Sequence, residues 1–204
     1  MSYNTLTVNN IQVYGLDNAI RASGNPMRTN ILQPDEELPC KGLKRAYTLS
    51  NTNIGEGHDQ FLTGIIVQFD LYAPLYMWKQ LQRYHFLDFI SSMSTMHKLT
   101  KFNINECCVP ETDHIILSRY QDLLNQYNDT QDQEEKSKLW RTLVASLPSG
   151  FVLGATLTTN YRQLKTIYHQ RKNHKLSEWR TFLQILESNL PYPDLFTTTN
   201  SKSN

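Results

Sequence analysis

The stretch GHDQFLTGIIVQFDLYAP, residues 57–74, decides how this chain is read. Within it, residues 64–72 (GIIVQFDLY) are rich in β-forming side chains and alternate in character. Val67, Phe69 and Leu71 fall on one side and Gln68 and Asp70 on the other, the period-2 pattern of a half-buried strand. Ala73-Pro74 ends the strand, and Pro74 suits the first turn of a helix. Residues 75–85 (LYMWKQLQRYH) then place Leu75, Trp78 and Leu81 at helical spacing, with Lys79, Gln80 and Arg83 on the opposite face.

Working outward, a second strand is expected at 150–159 (GFVLGATLTT), running straight into a helix at 161–172. A helix at 177–189 carries a stripe of Trp179, Phe182, Leu183 and Leu186. Upstream of these lie helices at about 113–127 and 132–146, joined through a solvated connection, NDTQDQEEKSK. Leu147-Pro148 stops the second of them, because proline disfavours helical geometry in the residue before it. Near the N-terminus, 11–15 (IQVYG) reads as a short strand ended by Gly15. Asp17 is expected to cap a short helix through Ile20 to Ser23. Ser23-Gly24-Asn25-Pro26 is a turn signal, 31–41 is loop-like, and 43–51 can form a helix. The fold class is therefore α+β: a small, mostly antiparallel sheet containing 64–72 and 150–159, flanked by helices. One domain is expected over 1–196, with a fraying tail at 197–204.

Composition narrows the function classes. The chain has 204 residues, 39% hydrophobic and 19% charged, which is ordinary for a folded domain. Twenty Lys+Arg against 19 Asp+Glu give a net charge of +1, which disfavours a protein that coats duplex DNA. No apolar run is long enough to span a membrane, and MSYNTLTVNNIQVYG does not read as a signal peptide. Cys40, Cys107 and Cys108 make neither a disulfide framework nor a metal site, and fit a reducing, cytoplasmic setting. The eight glycines are scattered, so no phosphate loop is present, and no G-x-S-x-G, H-E-x-x-H or C-x-x-C appears.

Two places break the expected pattern. Arg171 follows Leu164 and Tyr168 on the apolar stripe of its helix. It either snorkels outward at the helix end or meets a carboxylate, carbonyl or anion. Gln80 and Arg83 share a helix face with Lys79, as a solvated face or a polar site would.

These residues carry a resemblance. The segment 57–74 resembles the opening of the core of flavin-dependent thymidylate synthases, where a Gly-His and a buried strand lead to Ala-Pro and a helix. The family follows with Arg-Gln-x-x-Arg-His-Arg; here the positions read Lys79-Gln80-Leu81-Gln82-Arg83-Tyr84-His85. Its later Leu-Pro, strand and Thr-x-Asn-x-Arg-x-Leu match Leu147-Pro148 and Thr158-Thr159-Asn160-Tyr161-Arg162-Gln163-Leu164, with Arg171 nine residues beyond Arg162. Trp179 fits the Trp-headed closing helix, and Ile20-Arg21-Ala22-Ser23 resembles an early Ala-Arg-x-Ser turn. The resemblance spans most of 11–190 in order.

It implies cofactor-binding roles at Ser23, His58, Arg83, Asn160 and Arg162, toward FAD. It implies substrate-binding roles at Gln80 and Arg171, with Arg171 as the one catalytic candidate, and a homo-oligomer, a tetramer in the family. The apolar and aromatic content of Leu75–Phe89, extended by FLDFI, places 75–92 near that interface. Family members move a methylene group from a folate to deoxyuridylate and reduce it with flavin hydride, recharged by NADPH.

The departures are as specific. The family signature Arg-His-Arg-x-x-Ser-x-Asn-x-x-Ser-x-Arg-Tyr reads R-Y-H-F-L-D-F-I-S-S-M-S-T-M from Arg83, and only the first arginine remains. The flavin-contacting His-Arg becomes Tyr84-His85. The phosphate-holding Ser and Arg become Met93 and Thr95, and a further family arginine lands near Val144. The expected function is thus a diverged member that keeps a nucleotide- or flavin-type pocket but lacks normal deoxyuridylate methylation. An active FAD-dependent synthase and a single-stranded nucleic-acid module, the latter on 76–85 and YHQRKNHK (168–175), are the alternatives.

Overall fold

A computed structural model of the chain describes residues 6–29, 39–53 and 55–198. The alternation in the decisive stretch becomes strand β2, Ile66–Pro74, among β1 (Thr7–Tyr14), β3 (Asp88–Ser92) and β4 (Val152–Asn160). The four strands form one antiparallel sheet in the order β1-β2-β4-β3. The helices are α1 (Leu16–Ala22), α2 (Pro39–Ser50), α3 (Leu75–Leu81), α4 (Thr95–Lys98), α5 (Ile104–Cys107), α6 (His114–Asp129), α7 (Gln133–Ala145), α8 (Tyr161–Arg171), α9 (Ser177–Asn189) and α10 (Asp194–Thr197). The expected α+β class with a small antiparallel sheet is the one observed. Among the described residues, no helix is long and apolar enough to cross a membrane.

The expected alternation holds in β2. Val67, Phe69, Leu71 and Ala73 are buried, while Gln68 and Asp70 are only partly so. On the more open face, the Asp70 carboxylate accepts hydrogen bonds from Thr156 Oγ1 at 2.6 Å and from Asn10 Nδ2. The bond from Thr156, then that from Asn10, holds the Asp70 carboxyl below its ordinary range.

The described residues group into two compact units. One includes Leu71–Arg83 and Ser91–Ala155. Its core gathers Leu99, Ile104, Cys108, Tyr120, Leu123, Leu124, Leu143 and Phe151. Burial pushes the Tyr120 phenol up to about 12, and its hydroxyl donates to the Leu143 carbonyl at 3.1 Å. The first amides of α3 have no partners within the helix, and two of them are taken up by this unit: Leu75 N donates to Phe151 O and Tyr76 N to Ser149 O. Trp78 Nε1 is shared between the Ala73 and Leu153 carbonyls. The other unit includes Val8–Asp70, Tyr84–Ile90 and the chain from Thr156 onward. There Phe69 packs against Phe182, Trp179 against Phe182 and Tyr161 against Phe196, in a core closed by the buried stripe of α9.

Several local expectations change. The capping position of α1 is Gly15 at φ +74°, and Asp17 sits inside the first turn, where its charge still favours the helix end. The helix expected at 75–85 stops at Leu81. The solvated connection contracts to 130–132, because Asp132 accepts from the Glu134 and Glu135 amides and starts α7 there. The helix expected at 43–51 begins at Pro39. The loop expected over 31–41 lies outside the described residues up to 38. The fraying tail does so from 199, while Thr197 closes α10. β3 was not anticipated, and all five of its residues are exposed.

Gly15 turns β1 into α1, and a Cβ there would stand 2.5 Å from the Gly64 carbonyl oxygen. Gly15→Ala is expected to destabilise the fold by about 2 kcal/mol or more, from left-handed backbone strain plus the clash. Urea denaturation measures it, and an unchanged midpoint would show that the turn relaxes freely.

Candidate functional site

The residues singled out in the sequence fall on both units, and each unit is considered by itself. Gln80 lies half-buried on α3, and Arg83 is exposed just beyond it. The remaining five, Ser23, His58, Asn160, Arg162 and Arg171, belong to the second unit.

The best-built part of that unit is a charge network around α8. Lys165 is fully buried, and its ammonium donates to three acceptors: Ser50 O at 2.6 Å, Thr52 O at 2.8 Å and Asp59 Oδ2 at 2.9 Å. A lysine has three N–H donors, so none is wasted. Ser50 ends α2, so the cation also meets the negative end of that helix. Asp59 is buried, and its other oxygen accepts from Arg162 Nε at 3.1 Å. Only Nε of Arg162 is used in this pair. The guanidinium carries two further Nη groups, and the side chain is 36% exposed. A planar fork held at one edge and half-open at the other can bind a phosphate or carboxylate.

The sequence reasoning missed Asp59 and Lys165. Lys165 stands four residues after Tyr161 and three before Tyr168, inside the apolar stripe of α8, and that position was the available signal. His58, the neighbour of Asp59, is exposed after Gly57, which adopts φ +82°.

Other expected residues are engaged within the fold. Asn160 Oδ1 caps α8 by accepting from the Gln163 amide at 2.9 Å. Ser23 Oγ donates to the Ile20 carbonyl at 2.7 Å and accepts from Arg45 Nε at 3.0 Å, so its hydroxyl proton and a lone pair are taken. Arg45 is a third residue the sequence did not flag. It also reaches the Ile20 and Arg21 carbonyls at the end of α1, and a Cβ at Gly24 would stand 2.8 Å from its guanidinium carbon.

Arg171 is half-buried, as its place on the stripe implied. Its Nε donates to the Tyr84 hydroxyl at 2.7 Å, and its guanidinium carbon lies 4.8 Å from the Trp179 ring centre and 5.6 Å from that of Tyr84. An acid, a carbonyl or an anion was expected opposite it; at Nε the described partner is a phenol backed by aromatic faces. Two residues before Arg171, His169 has a buried Nε2 without a hydrogen-bond partner. Burial first, then Lys172 and Lys165, holds that imidazole below its ordinary range.

In the first unit, Met93 stands where the resemblance placed a phosphate-holding serine. Its sulfur accepts from the Gly154 amide at 3.3 Å. Among the described residues, no group of three or more His, Cys, Asp or Glu could hold a metal ion.

No protein-family model and no curated protein matches the sequence. Solved structures do. The chain is similar to flavin-dependent thymidylate synthase ThyX from Helicobacter pylori complexed with FAD and dUMP, with a TM-score of 0.68 at 17% identity over 93% of this chain and 97% of that one. A second structure, thymidylate synthase X from the same organism with FAD and dUMP, gives 0.68 at 16% identity over 94% and 96%. The chain therefore has a ThyX-like fold.

Two predictions follow from the charge network and from His169. Asp59→Asn leaves the Lys165 ammonium buried without its counter-charge and is expected to cost about 3–5 kcal/mol, with Asp59→Leu plus Lys165→Met recovering much of it. Denaturant titration of the unmodified protein and the two variants decides this. Independently, a histidine whose folded pKa is depressed stabilises the fold fully above its unfolded pKa. That contribution is lost as pH falls through about 6.5 toward the folded value. Melting temperature should thus fall over that window, and His169→Gln should flatten the fall; equal slopes would exclude His169 as the cause.

Proposed function

We propose that this chain binds a flavin or another phosphate-bearing nucleotide and does not carry out ordinary deoxyuridylate methylation. The observation that supports binding most directly is Arg162: held at Nε by Asp59, 36% exposed, and placed on the first turn of α8. His58, exposed next to Asp59, and Asn160, next to α8, would lie with it on the cofactor side. FAD, when bound, supplies hydride and electron transfer. This chain's own part is to hold the cofactor's charge and orient it. The fold likeness to ThyX structures that contain FAD and dUMP supports the ligand class. The loss of methylation is supported by the degenerate signature. Met93 has no charge to offer a phosphate and shares its sulfur with Gly154. Thr95 likewise stands where a cation is needed.

Each missing charge-assisted hydrogen bond removes about 1.5–3 kcal/mol of anion binding. Arg162→Ala is therefore expected to weaken FAD binding about tenfold to a hundredfold, read by calorimetry and by the flavin absorbance of purified protein. Tritium release from labelled dUMP, with folate and NADPH supplied, should stay at background. Absence of FAD and nucleotide binding in the unmodified protein would end the binding half of this reading, and turnover would end the other.

The same reading includes a homo-oligomer. β3 is an edge strand, with Phe89 42% and Ile90 51% exposed, and Phe86 just before it is 67% exposed. An uncovered apolar edge of this kind invites pairing with another chain. Light scattering at micromolar concentration is expected to give an oligomer, and Ile90→Glu to shift it toward monomer; a monomeric unmodified protein would contradict this.

A further inference from the structure

Arg171 already has an internal occupant. Tyr84 reaches it from the 84–90 segment. Its hydroxyl accepts from Arg171 Nε at 2.7 Å and donates to Gln170 Oε1 at 3.0 Å. Its ring stands edge-on to Trp179, centres 5.9 Å apart at 70°. Trp179 is fully buried, carries the guanidinium at 4.8 Å, and has the His174 ring 6.2 Å away. The hydroxyl thus occupies the place of a ligand oxygen at the guanidinium edge, and the phenol ring occupies that of a flat ligand beside an indole. Phe86, two residues on, adopts φ +58° and is exposed, so the segment that delivers Tyr84 carries a strained backbone next to it.

We infer that Tyr84 is an internal plug on Arg171: a planar ligand bearing a carbonyl or anionic oxygen, of the pyrimidine-nucleotide class, reaches the guanidinium edge only when the phenol withdraws. Tyr84 thereby sets the ligand selectivity of Arg171. For the ligand class this rests on the nucleotide reading given above. A ligand must supply more than the Tyr84 and Gln170 bonds it displaces, and affinity is reduced by the fraction of molecules in which the plug is closed.

The test is calorimetric titration of dUMP into the full chain, with FAD titrated in parallel. Tyr84→Phe removes the bonds from the hydroxyl to Arg171 and Gln170, so the ring withdraws more easily; it is expected to bind dUMP about tenfold more tightly than the unmodified protein. Gln170→Ala lies at an exposed position and loosens the hydroxyl without touching Arg171. A gain of about twofold to fivefold is expected there. Arg171→Ala in the Tyr84→Phe background should erase the gain. A tyrosine with a purely structural role would give loss or no change on removal, so a gain separates the two. Equal or weaker dUMP affinity in both Tyr84→Phe and Gln170→Ala overturns the plug, whether or not FAD binds. A dUMP gain without FAD binding in any variant supports the plug and counts only against the flavin part of the function.

Discussion

The fixed point of the second unit is the buried ammonium of Lys165. A charge with no access to water is tolerated only if every donor is satisfied and a counter-charge is near. Here the three donors are met by the end of α2, by the backbone just past it and by Asp59. That requirement pins one short stretch, residues 50–59, to Lys165 of α8, which lies 106 or more residues further along the chain. It also turns Asp59 so that its second oxygen grips Arg162. The placement of Arg162 is thus a consequence of a structural charge three residues further along the same helix. Replacing the ion pair by apolar residues can preserve stability while leaving Arg162 without its anchor, so folding and ligand placement separate at this point.

The fold was legible where one face of an element is buried and the other wet. Val67, Phe69 and Leu71 against Gln68 and Asp70 announced β2, and Trp179, Phe182, Leu183 and Leu186 announced α9 over the residues where it occurs. β3 was illegible for the complementary reason. All its residues are exposed, so burial imposes no alternation on DFISS, and its pairing in the sheet leaves no local mark. The helix expected at 132–146 occurs as α7, but the expected connection ran on into it, because QEEKSK looks like a solvated linker by composition whereas Asp132 at the capping position starts the helix.

The candidate site was legible in part. Arg171 was found by its place on an apolar stripe, and the structure gives it a shielded setting. Its partner could not be read, because Tyr84 lies 87 residues away and nothing local ties the two. Lys165 obeys the same periodicity as Arg171, yet a lysine on a stripe reads as a snorkelling side chain unless its acceptors are known. Two of those acceptors are backbone carbonyls, which leave no signature in a sequence.

The internal partners bear on why a ligand site and a catalytic site need not travel together on this fold. Ser23 serves Arg45, Asn160 caps α8, Met93 takes the Gly154 amide, and Arg171 holds Tyr84. Each of these side chains stands where the resemblance suggests ligand contact, and each has been drawn into stabilising its own surroundings. A ligand that takes over the Ser23 hydroxyl proton, Asn160 Oδ1 or Arg171 Nε must first break a protein hydrogen bond, so its net gain there is the difference between two similar bonds, close to zero for a neutral pair. For Arg162 the structural bond uses Nε, and the two Nη groups remain as further donors on a side chain that is 36% exposed. Guanidinium geometry permits both at once, and a hydroxyl or carboxamide with its groups already committed does not. On the proposed reading, a phosphate-bearing ligand in the second unit would draw on the free donors of Arg162, while selectivity for its planar part would lie in the exchange between Tyr84 and ligand at Arg171.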